Sequence, residues 1–302
     1  MATEQFFFNK LIDIIYESTG LDCRAYNEDY IKRRINARIL TNKLPANDYF
    51  AYTRYLEKNL EEIRHLFNAL TINVTRFFRD PELWEFLRED VFPKAINELS
   101  ERKARKLNIW SCGCSSGEEP YTIAIILKEL TKFTGLVPKI IATDIDEPSL
   151  STAKKGIYPK IALAEVPNEL LLNSFESTSD ENSSAAALSL KPFISYVHHN
   201  FLNDTPPQPQ EYFDMIFCRN VIIYFTLEAK KKVLDLFFRA LSPNGWLIIG
   251  KTEILNAHQL KGMFYSYNDI ERVYRKEKRT TPPVKELEND KRKNWWFGYE
   301  KN

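Results

Sequence analysis

The sequence predicts an α/β protein, a parallel sheet covered by helices on both faces and preceded by a purely helical N-terminal segment. Three observations carry this. Residues 1–75 place apolar side chains at helical spacing and contain no strand-like run. From Leu107 onward, short apolar runs alternate with helical patterns, as in a parallel sheet with crossover helices. The run Ile109-Trp110 passes into the small-residue loop Ser111-Cys112-Gly113-Cys114-Ser115-Ser116-Gly117, which opens onto a helix. Such a junction lets backbone N–H groups approach a nucleotide-like ligand.

Each element has its own reason. Phe7, Leu11, Ile14 and Ile15 repeat at helical spacing in the first helix. Asn27 caps a second, in which Ile31, Ile35 and Ile39 fall at i, i+4 and i+8. The other side of that helix carries Lys32, Arg33, Arg34 and Arg38. A third helix is expected over Asp48–Asn59 and a fourth over Glu61–Leu70, and Asp80-Pro81 opens another. Strands are predicted at Leu107–Trp110, Ile140–Thr143, Phe213–Cys218 and Trp246–Ile249. Helices are predicted at Pro120–Thr131, Pro148–Lys155 and Leu227–Leu241. Phe264–Tyr267 and Ile270–Arg275 flank Asn268-Asp269 and read as an edge hairpin. Ser174–Ser189, rich in Ser, Ala and acids, reads as a flexible excursion. With the short strand Phe193–Val197 it suggests a small β subdomain over about 174–200. Thr205–Gln210 is a loop by composition. The expected domains are therefore 1–75, 76–276 with its insertion, and a charged tail, 277–302, ending in Trp295-Trp296-Phe297-Gly298-Tyr299.

The 302 residues are 44% hydrophobic and 27% charged with a net charge of +1, so recognition by charge must come from local patches. No apolar run approaches the roughly 20 residues that span a bilayer, and Met1–Gln5 lacks the basic start of a secretory signal. Four cysteines in a chain this long do not form a disulfide framework. They are expected as buried thiols of a cytoplasmic protein, with no metal site.

The small-residue loop fits two chemistries. As a nucleotide loop, it needs an acid at the end of the next strand to accept ribose hydroxyls, and Asp144 stands there. Asp146, two residues on, reads as the cap of the following helix. As Gly113-x-Ser115-x-Gly117, the loop is a hydrolase nucleophile elbow, with Asp214 and His258 in the required chain order. Against the elbow, it follows the first strand of the sheet, no glycine-rich oxyanion segment precedes it, and Glu118 and Glu119 would oppose a nearby oxyanion.

Five segments in order resemble one family, the CheR chemotaxis receptor glutamate methyltransferases. They are Tyr30–Ile35, Asn73–Arg79, the loop Trp110–Tyr121, Ala142–Asp146 and Phe213–Phe225. The resemblance covers about residues 5–276. It implies a small all-α domain and a Rossmann-like class I S-adenosylmethionine-dependent methyltransferase domain with an inserted antiparallel β subdomain. It implies S-adenosylmethionine as donor, S-adenosylhomocysteine as product, and receptor glutamate side chains as acceptors. By motif, Asn73, Thr75, Arg79, Gly113, Glu118, Asp144, Asn200, Phe201, Arg219 and Asn220 would line the donor site. Arg79 and Tyr224 would lie nearest the chemistry, Arg79 holding either the acceptor or the donor carboxylate. The basic helix becomes a docking surface for acidic receptor helices rather than for nucleic acid, since no stacking aromatics interleave its cations. The protein is expected to act as a monomer without entering the membrane. A catalytically silent donor-binding scaffold of the same fold is the alternative. The aromatic tail matches a pentapeptide pattern with which some receptors bind the β subdomain; docking on its own or a neighbour's β subdomain is one reading, and a disordered tail or a helix touching an unrelated partner is the preferred one.

A glutamate acceptor with a reference pKa of about 4.3 is already ionised at neutral pH. Methyl transfer to it needs no general base, and rate must come from alignment and exclusion of water.

Overall fold

The computed structural model describes residues 2–71, 73–253, 255 and 260–277. Four helices come first: α1 (Ala2–Thr19), α2 (Glu28–Thr41), α3 (Tyr49–Leu56) and α4 (Leu60–Thr71). The side chain of Asn27 accepts from the Asp29 N–H and that of Asp48 from the Ala51 N–H, which starts α2 and α3 where the caps predict. Ile31, Ile35 and Ile39 are buried against α1 and α4 in one helical core. On α1 the buried stripe is Phe8, Leu11, Ile12 and Ile15, one residue round from the predicted face, which leaves Phe7 and Ile14 at its margin.

The chain then enters α5 (Pro81–Phe86), which runs through a π turn into α6 (Phe92–Glu101). The main sheet is built from β1 (Lys106–Cys112), β2 (Val137–Asp144), β6 (Ile194–His198), β7 (Phe213–Cys218), β8 (Leu241–Ile249), β9 (Phe264–Asn268) and β10 (Val273–Lys276). Its order is β6-β2-β1-β7-β8-β10-β9. The five strands from β6 to β8 run parallel, and β10 is antiparallel to both β8 and β9. Helices α7 (Glu118–Leu130), α8 (Glu147–Lys155) and α10 (Leu227–Ala240) connect them. Along β1, Leu107 and Ile109 enter the core on one face while Trp110 and Cys112 enter the core on the other. Burial on both faces is why these strands read as unbroken apolar runs.

Two expectations change. The small antiparallel sheet is β3 (Ile157–Pro159), β5 (Ser183–Ala186) and β4 (Phe175–Ser177), in the order β3-β5-β4, with α9 (Asn168–Ser174) leading into it. It therefore starts well before residue 174, and the Ser/Ala-rich stretch supplies two of its strands. The strand at Phe193–Val197 does not belong to it: as β6 it pairs with β2 at the edge of the main sheet. Composition misled here because a short, half-exposed edge strand needs few apolar residues. The predicted hairpin forms, but its second strand sits between β8 and β9, so the first becomes the sheet edge.

Chain order reverses at β1, from which β2 and β6 lie to one side and β7 and β8 to the other. The crevice at the carboxyl ends of strands beside such a switch is where open α/β sheets bind ligands. Among the described residues, no helix is long and apolar enough to cross a membrane. The Trp295–Tyr299 cluster lies outside the described residues.

Candidate active site

A cleft of about 1240 Å³, counting its open mouth, occupies that crevice. Its floor is the loop after β1. Gly113 and Cys114 donate their N–H groups to the Thr143 carbonyl at 2.8 and 3.0 Å, which pulls the loop against the end of β2. Gly113 has φ +73°, and a Cβ there would meet Val221 Cγ2 at 2.5 Å, so only glycine lets the loops after β1 and β7 approach this closely. Ser115 takes the left-handed region without being glycine and donates its N–H to Asp144 Oδ2 at 2.7 Å.

Asp144 ends β2, where the motif placed it. It is buried, its Oδ1 also accepts from the Asp146 N–H at 2.9 Å, and burial raises its carboxyl above the ordinary range against the pull of these backbone donors. Each oxygen keeps a lone pair for the cleft. Asp146 does not cap α8 through its side chain: its carboxylate accepts from Asn73 Nδ2 and, at 2.7 Å, from Ser149 Oγ.

At the head of α7 the acid that lines the cleft is Glu119, one residue beyond the expected Glu118. Glu118 turns away from the cleft and accepts from Ser116 Oγ at 2.8 and 2.9 Å. Glu119 lines the cleft, accepts from Ser111 Oγ at 2.8 Å and lies 3.4 Å from Arg219 Nη1. Successive helical residues point about 100° apart, so only one of two neighbouring acids can face the ligand. Burial pushes the Glu119 carboxyl up, while the Arg219 guanidinium works in the opposite direction.

Arg219, with its side chain 3% exposed, is the knot of the site. Nη2 donates to the Arg79 carbonyl and to Asp80 Oδ2, both at 2.7 Å, and the guanidinium lies 5.2 Å from the Trp84 ring centroid. Two carboxylates thus compensate one buried cation. Asp80 opens α5 without capping it because its carboxylate is engaged here.

Arg79, Asn73, Thr75, Asn200, Phe201, Asn220 and Tyr224 all line the cleft. Arg79 Nη1 donates to the Val74 carbonyl at 3.0 Å. Asn200 Nδ2 donates to the Gly20 carbonyl at 3.0 Å, and Phe201 packs on Phe225. The second wall comes from the helical layer: Leu21, Tyr26, Tyr30, Leu70 and Thr71. The Tyr30 ring stacks on Tyr224 with centroids 4.1 Å apart, and its hydroxyl donates to the Leu70 carbonyl at 2.7 Å. This wall carried no sequence signal as a lining, since Tyr30 reads as one more apolar position of α2.

The hydrolase reading fails on geometry. Asp214 accepts from the Asn108 N–H near the start of β1, whereas Ser115 follows its end. At about 3.3 Å per residue, the four residues from Asn108 to Cys112 alone separate the groups by about 13 Å. Ser115 Oγ is buried with no hydrogen-bond partner among the described residues, and His258 lies outside them.

The basic face also divides. Arg38 makes two bonds to the buried Glu62, at 2.9 and 2.6 Å, and Tyr52 donates to the same carboxylate at 2.7 Å. It is an internal tie of the helical layer. Lys32 pairs with Glu28 at 2.6 Å. Arg33 is exposed and Arg34 half-buried, their guanidinium carbons 6.0 and 5.6 Å from the Tyr30 ring centroid.

Residues 73–269 match the family model described as CheR methyltransferase, SAM binding domain, and residues 7–71 match CheR methyltransferase, all-alpha domain. The chain belongs to the CheR methyltransferase family. A chemotaxis protein methyltransferase of Borreliella burgdorferi is 30% identical over 83% of this chain and 89% of its own length. Chemotaxis protein methyltransferase 2 of Vibrio cholerae is 32% identical over 82% and 85%. A chemotaxis protein methyltransferase of Listeria innocua is 32% identical over 80% and 88%. This CheR protein is thus an S-adenosylmethionine-dependent methyltransferase of the chemotaxis system. The cleft suits that donor. Ser115 Oγ and Asn220 Oδ1 are buried without hydrogen-bond partners among the described residues, and Glu119 offers a carboxylate to a cationic group.

Proposed function

We propose that this CheR protein forms methyl esters on glutamate side chains of chemoreceptor cytoplasmic helices. The observation that carries the reading is the pairing of two unlike walls at one switch point. Buried carboxylates and backbone amides lie on the sheet side, and a tyrosine stack beside the exposed Arg33 and the half-buried Arg34 lies on the helical side.

On the sheet side, Asp144 accepts ribose hydroxyls, Glu119 meets the ammonium group, and Asn73, Thr75, Asn200, Phe201, Arg219 and Asn220 complete the enclosure. Glu119 here takes the duty first assigned to Glu118. S-adenosylmethionine supplies a methyl group already activated on its sulfonium. The acceptor carboxylate arrives ionised, so the protein aligns the reactants and excludes water. Tyr224 donates a hydrogen bond to one acceptor oxygen, and among the described residues its hydroxyl makes no bond that would compete. Arg79, which also lines the cleft, holds either the acceptor or the donor carboxylate. Arg33 and Arg34, with Lys32 beside them, draw acidic receptor helices towards the mouth. Arg38 takes no part in docking, because Glu62 already occupies it. The protein carries this out as a monomer.

The test is transfer of labelled methyl from S-adenosylmethionine to a purified receptor cytoplasmic fragment, followed by mild base. Volatile labelled methanol is expected. Label that stays on the protein would mean N-methylation, and no label would leave a donor-binding scaffold.

A further inference from the structure

Beyond the lining residues, one buried carboxylate is spent on the backbone of the site. Glu253 lies in the turn that follows β8 and is 1% exposed. Its Oε1 accepts from the Val221 and Ile222 N–H groups at 2.8 and 2.9 Å. Its Oε2 accepts from the Gly250 N–H at 2.5 Å, and its own N–H donates to the Gly250 carbonyl at 3.0 Å. No basic side chain pairs with it among the described residues. A carboxylate buried without a counter-ion is costly unless its oxygens are satisfied, and here backbone donors from two segments satisfy them.

Those segments matter. Val221 and Ile222 start the short 3-10 turn Ile222–Tyr224, whose first N–H groups have no partner within the turn. Asn220, just before, is held at φ +60°, a region that L residues enter at a cost. Asn220, Val221, Ile223 and Tyr224 line the cleft. Glu253 thus caps the turn that ends in Tyr224 and fastens it to the end of β8. Gly250 supports this independently. A Cβ there would stand 2.8 Å from Glu253 Oε2, 2.9 Å from the Asn220 backbone nitrogen and 3.1 Å from Asn220 Nδ2. The turn therefore seats directly against the Gly250 backbone.

We infer that Glu253 is a positioning residue for methyl transfer: it holds the Asn220–Tyr224 turn so that Tyr224 is presented to the acceptor. The inference rests on the role given to Tyr224 above.

The test is Glu253→Gln in the full chain. An amide can accept through one atom only, so either the Val221/Ile222 pair or Gly250 must face an N–H₂ group. The measurements are single-turnover methyl transfer to a receptor cytoplasmic fragment at saturating donor, S-adenosylhomocysteine affinity by calorimetry, and a double-mutant cycle with Tyr224→Phe. The expected result is at least a tenfold loss in the transfer rate with less than a threefold change in S-adenosylhomocysteine affinity. In the Tyr224→Phe background the further loss should be under threefold, because the group being positioned is already gone. A transfer rate within twofold of the parent would overturn the inference, as would losses that simply multiply when Tyr224→Phe is itself slow.

Should Tyr224→Phe alone cost nothing while Glu253→Gln remains slow, the reading of Tyr224 fails and the positioning of the turn stands. Gly250→Ala displaces the same turn from its other side with the carboxylate retained, and it decides the matter if Glu253→Gln does not fold. It should reproduce the tenfold loss, and parental turnover would count against the inference.

Discussion

The two walls of the cleft are built from opposite materials. The sheet wall is a lattice of buried charge and backbone, in which Asp144 holds the Ser115 and Asp146 N–H groups and Arg219 ties Arg79, Asp80 and Glu119 together. The helical wall is aromatic. Tyr30 stacks on Tyr224, Tyr26 bridges to Phe225, and the Asn27 N–H donates to the Tyr224 carbonyl at 2.7 Å. The first suits a ligand of fixed shape and scattered polar groups, because every donor and acceptor is already aimed. The second suits a protein acceptor that comes and goes, because stacked rings give a firm surface with few directional demands.

The largest effect that should break this division comes from within the helical layer. Arg38→Ala leaves the buried Glu62 carboxylate with only neutral partners, Tyr52 and Asn42. Breaking such a pair costs about 3 kcal/mol, to be read from urea denaturation. If the walls are separable, receptor methylation should fall before S-adenosylhomocysteine binding does.

Next in size is the contrast between adjacent acids on the sheet wall. Glu119→Gln should weaken S-adenosylhomocysteine binding roughly tenfold, the scale of a charge-assisted contact. Glu118→Gln should change it less than about twofold, because that carboxylate bonds to Ser116 outside the cleft. A pH series sharpens the same point. Burial raises the Glu119 carboxyl, and a cation beside it favours the ionised form, so binding should release protons. Affinity should then rise with pH until Glu119 is ionised in the free protein, and level off above that. Calorimetry in buffers of different ionisation enthalpy measures the release, which Glu119→Gln should reduce.

The smallest effect belongs to the outer rim. Arg33→Glu with Arg34→Glu should lower kcat/KM for receptor fragments about fivefold at low salt and less at high salt, as rim charges act mainly on encounter. S-adenosylhomocysteine affinity should be unchanged. Equal loss of both would place these arginines in the donor site.

Much of this architecture was legible in the chain. Phe213–Cys218 is a strand with the bounds its apolar run suggests, and Asn27 caps α2 as its position suggests. Gly113 lies in the loop after β1 and Asp144 ends β2, and both line the cleft as their motifs place them. The misreadings share one cause. Glu118 was expected in the cleft that Glu119 lines, Arg38 was grouped with Arg33, and β6 was assigned to the small sheet. In each case neighbouring residues of like chemistry, or short strands of weak pattern, differ only in which way the finished fold turns them.

The sequence by itself determined the order of elements outside the small sheet, the small-residue loop after β1 and the family, because local periodicity and five spaced motifs survive without knowledge of packing. Tertiary structure alone decided which carboxylate faces the cleft and which arginine is free to meet a partner. It alone showed that Glu253, 29 residues beyond Tyr224, caps the turn that carries it. Those are properties of direction and burial, and they exist only once the loops after β7 and β8 lie side by side.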